Sequence, residues 1–430
     1  MSKWFLLAAA STLCAAPSAT FYKDVLPILQ NRCQECHRSG EIGPMALITY
    51  KETRPWAKSI REVIRTKKMP PWFADPAHGR FSNDRSLTQK EIDTLVAWAD
   101  AGAPEGDKKH APALRAWQAG WQIPAPDMIL TKPNAFDVPA NGKIDYQYIV
   151  IPTELTEDKW VQVVEARPSA RSVVHHVVVY VREPSSKWLR GEAEPGVPFV
   201  PPRTTPEGRQ RGDIGGAGSD ILTIYTPGNI PDTFAPGQAK LIKAGSDLVF
   251  QMHYTANNKS AASDKTSVGI LFAKEPPKER VLTVALSNDK FVIPPGDGNY
   301  RVPAKATLPN GGALLSFFPH MHVRGKAFEY KLTQPDSDEE VLLNVPNYNF
   351  NWQLTYRLEK PLEIKPGAEM AMAGWFDNSP NNPHNPDPKS EVRWGEQSWE
   401  EMMIGFFDVA VPADMDRRSF FRKKAVKSDD

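Results

Sequence analysis

Four stretches of the sequence place histidine or methionine among apolar neighbours: "VVHHVVVYV" (173–181), "VFQMHYT" (249–255), "FPHMHVRG" (318–325) and "WEEMMIGFF" (399–407). Imidazole nitrogens suit copper, zinc or iron, and a thioether among them tilts the choice towards copper, Cu(I) above all. Residues i and i+2 of a strand share a face, so His320 and His322 can hold one ion from a single strand. His175 and His176 would point to opposite faces, and both reach one metal only if the strand twists, bulges or ends there. His253, on a separate apolar run, supplies a third imidazole. A lone strand histidine is ordinarily a core residue with one hydrogen bond. Of the nine histidines, however, five fall in these three segments. Burying them unpaired would cost ~1–3 kcal/mol each, so the pattern points to metal binding.

A second constellation lies near the N-terminus. Cys33-Gln34-Glu35-Cys36-His37 is the c-type heme attachment pattern, in which two thiols form thioethers to the heme and the adjacent histidine is held at the iron. A thioredoxin-type redox pair would need a flanking βαβ pattern, and a zinc site would need a second cysteine pair; neither is present. Met69 in "KKMPPW", on a loop stiffened by two prolines, is the expected sixth ligand, with Met45 in "GPM" as its rival. A thioether on the iron raises the heme potential and suits an acceptor of electrons from reduced donors. His78 and His384 read as surface and loop residues.

Elements must then position these groups. "YKDVLPILQNR" can form a short helix before the cysteines, and "KETRPWAKSIREVIRTKK" (51–68) an amphipathic second. "SLTQKEIDTLVAWADAG" predicts a third: Thr88 and Glu91 make a capping box, Ile92, Leu95, Val96 and Ala99 an apolar stripe, and Gly102 a stop. Three helices around the heme motif resemble a small class I cytochrome c, an all-α domain over residues 20–104. Residues 105–127 lose periodicity and read as a linker. From 128 onward, short alternating runs separated by Pro, Gly and Asn predict antiparallel strands in a sandwich. "AKEPPKER" (273–280) divides them into 128–275 and 280–414, followed by a charged tail at 415–430. The Gly/Pro/charge-rich insertion at 182–220 reads as a flexible excursion or a substrate rim.

Residues 1–19 carry one lysine, an apolar run of about a dozen residues and then small residues, the pattern of a secretory signal and too short to span a bilayer. The mature chain is expected in the periplasm or secreted, with no integral membrane segment. Without Cys14 only Cys33 and Cys36 remain, so there is no disulfide framework. A net charge of +1 gives no electrostatic case for nucleic acid, and no GxGxxG or P-loop supports nucleotide binding.

In their order along the chain, "HHVVVY", "QMHYT", "PHMHVRG" and "EEMM" resemble the type II copper, ascorbate-dependent monooxygenases, which include the peptidylglycine α-hydroxylating and dopamine β-monooxygenases. The resemblance covers about residues 128–412. It implies two jelly-roll domains, each holding one copper, across a solvent cleft. His175, His176 and His253 would bind the electron-transfer copper. His320, His322 and Met402 would bind the oxygen-activating one, with Met403 as the neighbouring alternative. The family's structural disulfides are absent. Phe318 and Phe406 stand where the peptide hydroxylase has an arginine and a tyrosine that grip a substrate carboxylate, so a more apolar small molecule is implied. The expected activity is hydroxylation of a C–H bond with O₂, electrons arriving through the N-terminal heme from a periplasmic donor, or from ascorbate. The alternative is a heme/copper electron-transfer or copper-handling protein without oxygenase activity.

The motif makes a direct prediction. The exported protein should carry a heme-shifted mass that survives denaturation, and Cys36→Ser should abolish the two-thioether product; an unshifted wild-type mass would refute the assignment.

Overall fold

The computed structural model describes residues 19–118, 120–192, 194–202 and 219–422. The predicted leader up to residue 18, positions 203–218 of the insertion and 423–430 of the charged tail lie outside them. The chain forms two compact units that interleave in sequence: one runs up to Pro71 and resumes over Arg85–Trp117, and the other takes Trp72–Asp84 and everything from Gln118. No helix among the described residues is long and apolar enough to cross a membrane.

The expected all-α class I cytochrome c domain is not what forms. The described chain is mostly β, and its helices are few and short. Only the predicted third helix has substantial length, Gln89–Asp100, closed by the Thr88–Glu91 capping box. The predicted second helix breaks at Pro55 into Tyr50–Thr53, a 3₁₀ turn at Arg54–Trp56 and Ala57–Arg65, because proline lacks the amide that an unbroken helix needs. The first begins as a π turn at Phe21–Val25 and ends at Arg32. From Thr66 to Thr88 there is no helix at all. Phe21, Leu29, Leu95 and Trp98 pack a small core that ties these pieces together.

The second unit is built of β-sheets, but not as two separate rolls. A nine-stranded sheet runs through the whole of it in the order Met128–Thr131, Ser267–Phe272, Lys159–Arg167, Gln238–Ile242, Glu279–Ser287, Ile404–Pro412, Gly312–His320 and Tyr356–Ile364, with Asp232–Thr233 beside Lys159–Arg167. The two halves join where Glu279 and Arg280 pair in parallel with Gln238 and Ala239. Gln147–Pro152, Asp247–Tyr254, Val174–Arg182 and Ser219–Tyr225 form a four-stranded sheet that covers the first half. Tyr300–Leu308, Ala368–Phe376, Gly325–Thr333 and Glu339–Val345 form another that covers the second.

Strand alternation sets what each face meets. Along Val174–Arg182, Val177, Val179 and Val181 enter the first core. Val178 and Tyr180 face outward into a separate apolar cluster shared with Phe318, Met402, Ile404 and Phe406 of the second half. The halves are thus held by one continuous sheet and by a dry apolar contact beside it.

Residues Trp72–Asp84 add a strap to the second core. Trp72 and Phe81 lie edge-on to the buried Tyr356, at 4.9 and 5.7 Å between ring centroids. Backbone bonds fix the strap: the Asp75 amide to the Asn344 carbonyl, the Ser82 amide to the Arg357 carbonyl and the Glu359 amide to the Arg80 carbonyl, each 2.8 Å.

A buried ion pair anchors the strand that carries His253. Lys132 and Asp264 have fully buried side chains 3.0 Å apart. The ammonium also donates to the Tyr254 hydroxyl at 2.6 Å, and that hydroxyl donates to Asp264 at 3.0 Å. Burial alone would raise the Asp264 carboxyl, but Lys132, the Thr266 hydroxyl and the Ala170 amide together hold it below the usual carboxylate value. A depressed carboxylate contributes stability that is present above its unfolded pKa of ~3.9 and is lost as pH falls through the lower folded value. The denaturation midpoint should therefore decline below about pH 4 through this group. Asp264→Asn, which leaves Lys132 buried without its counter-charge, should cost about 3–5 kcal/mol at pH 7 and weaken that acid dependence. Chemical denaturation across pH checks both.

Candidate metal centre

The site grows out of an irregularity in one strand pair. Val174 pairs with Tyr254 and His176 with His253, so His175 is an extra residue on its strand and the register shifts there. Such a bulge re-aims a side chain that regular alternation would send away. One nitrogen from each of His175, His176 and His253 lies within 4.8 Å of the others, and all three residues are buried. The His175 and His176 Nδ1 atoms are 3.1 Å apart. Phe350 stacks on the His175 ring at 4.2 Å and Tyr146 on His253 at 4.5 Å, fixing both planes. The Ser398 hydroxyl meets His253 Nε2 at 3.0 Å.

His320 closes the strand Gly312–His320 and pairs with Ile404, two residues beyond the Phe318–Phe406 pair. Its Nδ1 meets the Gln353 side-chain oxygen at 2.7 Å. After His320 the chain turns, and Met321 enters the second core. The His322 Nδ1 faces the Glu400 carbonyl at 3.2 Å. With an oxygen acceptor on each Nδ1, both rings carry their proton there and offer Nε2, the arrangement by which outer groups orient metal-binding histidines. Glu401, fully buried, accepts the amides of His322 at 2.8 Å and Arg324 at 2.6 Å. Burial raises the Glu401 carboxyl to about 8, against those amides and the Arg324 charge. Arg324 is itself held by Asn378 and the Trp399 carbonyl.

Met402 and Met403 part by strand alternation. Met402 joins Ile404 and Phe406 in the cluster between the halves, and it lines one cavity with His176 and His320. Met403, fully buried, belongs to the second core with Phe407.

The five imidazoles form one chain of contacts. Ring centroids lie 4.8 Å apart for His175–His253, 4.9 Å for His176–His253, 5.5 Å for His176–His320 and 5.3 Å for His320–His322. The resemblance implied two ligand sets across a solvent cleft. Instead the sets abut, because the apolar contact between the halves closes over them. Burial disfavours a positive charge on every ring: His175 and His320 are lowered to about 4, and His176, His253 and His322 lie well below the ordinary imidazole value. All five are therefore neutral near pH 7, with lone pairs available. His175 Nε2, His253 Nδ1 and His322 Nε2 are buried without a hydrogen-bond partner. A core histidine left so would cost ~1–3 kcal/mol, whereas a metal ion would satisfy such atoms. The residues fit a metal.

In the first unit, the His37 amide bonds the Cys33 carbonyl at 2.9 Å, which sets the histidine one turn from the first thiol. His37 Nδ1 faces the Met45 carbonyl at 3.2 Å, leaving Nε2 as the ring's remaining ligand atom. The backbone closes tightly around the ring, since a Cβ on Gly43 would lie 2.6 Å from the Cys36 carbonyl and 2.8 Å from His37 Nδ1. Burial pushes the Cys33 thiol up to about 12 and also raises Cys36, so both are protonated. These residues fit covalent heme attachment. Met69 is half-buried at the end of a turn, its amide on the Val63 carbonyl at 3.2 Å. His384 sits exposed in a turn, and half-buried His78 in another.

Sequence reasoning missed Tyr146, Gln353, Ser398 and Glu400. Gln353 and Ser398 had a signal, their places in the aromatic runs "FNWQLTY" and "VRWGEQSW", and Glu400 stands in the motif "EEMM".

No family model matches the chain, and no curated protein matches it. Solved structures with some similarity include the major capsid protein P2 of bacteriophage PM2, at 10% identity and TM-score 0.25, covering 68% of this chain and 100% of that one. Another is the infectious bursal disease virus VP2 subviral particle, at 8% identity and TM-score 0.20, covering 70% of this chain and 76% of that one. Scores this low carry no inference.

Metal uptake tests the ligand reading. His253→Ala and His322→Ala should each lower the copper or zinc retained after gel filtration, measured by elemental mass spectrometry. Met403→Leu should leave it unchanged and cost less than about 1.5 kcal/mol of stability.

Proposed function

We propose that the protein is an exported heme- and copper-dependent monooxygenase that hydroxylates a C–H bond of a small, apolar organic substrate. The overall change is R–H + O₂ + 2 e⁻ + 2 H⁺ → R–OH + H₂O. One observation carries the reading: a three-histidine set with converging nitrogens abuts a second set, His320, His322 and Met402, beside a mostly apolar cavity. When bound, two coppers would supply one-electron transfer and O₂ activation, and the heme a one-electron store.

The chain's own residues account for the rest. His175, His176 and His253 would hold one copper. His320 and His322, with Nδ1 engaged by Gln353 and the Glu400 carbonyl, would present Nε2 to the other, and Met402 would add the thioether that favours Cu(I). Phe318 and Phe406 face each other across the strand pair at 5.9 Å and both line the cavity. They give no grip to a carboxylate, which supports an apolar substrate. The dry contact between the halves excludes water from the reacting centre. Cys33, Cys36 and His37 would hold the heme. Met69 would supply the sixth ligand, while the side chain of Met45 packs against the small core of the first unit. A periplasmic donor or ascorbate would reduce that heme, and the leader at residues 1–19 supports export.

The experiment is single turnover of the reduced, copper-loaded protein with ¹⁸O₂ and a panel of apolar and aromatic compounds, read by mass spectrometry. One ¹⁸O atom in a product is expected. Met402→Ile should remove the sulfur scatterer from the X-ray absorption of reduced copper and most of the product, while His₃ copper binding stays near wild type. Copper uptake without any labelled product would leave an electron-transfer protein.

A further inference from the structure

The cavity beside His320 and Met402 is closed on the apolar side by Val178, Ile224, Phe318, Ile404 and Phe406. Its open volume is about 20 Å³, room for about one water-sized molecule and far too little for an organic substrate. In this state it is a cage for a small ligand.

Apart from the imidazoles of His176 and His320, the polar groups around it are almost all committed. The Tyr180 hydroxyl donates to Gln251 at 3.5 Å, Gln251 donates to the Tyr148 hydroxyl, and Tyr148 donates to Glu396 at 2.7 Å. One donor of each residue in that series is spent on the next. Tyr146 is the exception. It lines the same cavity, is 3% exposed, and its hydroxyl is buried with no hydrogen-bond partner. Its ring is pinned flat on His253 at 4.5 Å and tilted against His176 at 5.5 Å, so the hydroxyl is held rather than free to seek solvent. An orphaned donor of this kind costs ~1–3 kcal/mol unless something fills the cavity and accepts from it.

We propose that Tyr146 is the ligand-recognition residue of this cage, its hydroxyl donating a hydrogen bond to an uncharged, dioxygen-sized ligand held beside His320 and Met402. The inference rests on the copper reading above, and goes beyond it by assigning the cage to the small oxidant and giving Tyr146 its contact.

Carbon monoxide is the probe, added to full-length, reduced, copper-loaded protein and followed by infrared spectroscopy. The C–O band should shift when H₂O is exchanged for D₂O, and Tyr146→Phe should abolish that sensitivity, move the band to higher frequency and weaken CO binding roughly 3- to 10-fold, the worth of one neutral hydrogen bond. A band indifferent to both changes overturns the role of Tyr146 and leaves the copper reading standing. No band in either protein overturns both. Thermal melting of the metal-free proteins separates out a structural role: Tyr146→Phe should melt no lower than wild type, because the hydroxyl has no partner to lose, and a clear drop would also overturn the proposal.

Discussion

The burial of five neutral imidazoles in one apolar seam is the constraint on which the rest of this molecule depends. Each ring brings two nitrogens into a region with little water, and each nitrogen needs a partner or leaves an unmet cost. The chain meets part of that demand with single, well-aimed groups: Gln353 for His320, the Glu400 carbonyl for His322 and Ser398 for His253. What remains converges inward. The seam exists because two half-sandwiches share one nine-stranded sheet and press Val178, Tyr180, Phe318, Ile404 and Phe406 together beside it. Parting the halves would wet the rings. Closing them makes every ring nitrogen a matter of donor and acceptor bookkeeping.

Two supports keep the seam in register. On the first half, the Lys132–Asp264–Tyr254 network fixes the residue next to His253, and the bulge at His175 turns two neighbouring rings to one side. On the second half, Glu401 gathers the amides of His322 and Arg324, so the turn after His320 is shaped by a carboxylate that burial raises to about 8. Both are long-range: Asp264 acts across more than 130 residues of chain on Lys132, and Glu401 lies 79 residues from His322.

That distance explains which parts were legible in the sequence. Local spacing revealed the histidine and cysteine motifs, the capping box at Thr88 and the strand alternation. It also stated the condition for His175 and His176 to converge, a bulge, although only the partner strand reveals that one is there. Local spacing does not single out Gln353, Ser398 or Tyr146 as partners of the histidines, because what makes them matter is another strand's geometry. The N-terminal helices were over-read: an apolar stripe spanning Pro55 resembled one helix, and the proline divides it. The shared sheet was invisible for the same reason as the side-chain partners. It rests on a parallel pairing, residues 238–239 with 279–280, that no turn signal announces.

The strap at Trp72–Asp84 bears on modularity. A string of independent domains can be separated wherever a linker is cut, but here the chain passes between the two units at Pro71/Trp72, Asp84/Arg85 and Trp117/Gln118. Cleavage anywhere in 105–117 would leave the strap seated on Tyr356 and still joined to the N-terminal unit through residues 71 and 85. A fragment starting at Gln118 would lack Trp72 and Phe81, and would present the side of Tyr356 that they cover as bare aromatic surface. Gene-level dissection therefore cannot follow the order of the sequence. Only a rearranged chain that returns residues 72–84 to the β unit would give two pieces with intact cores.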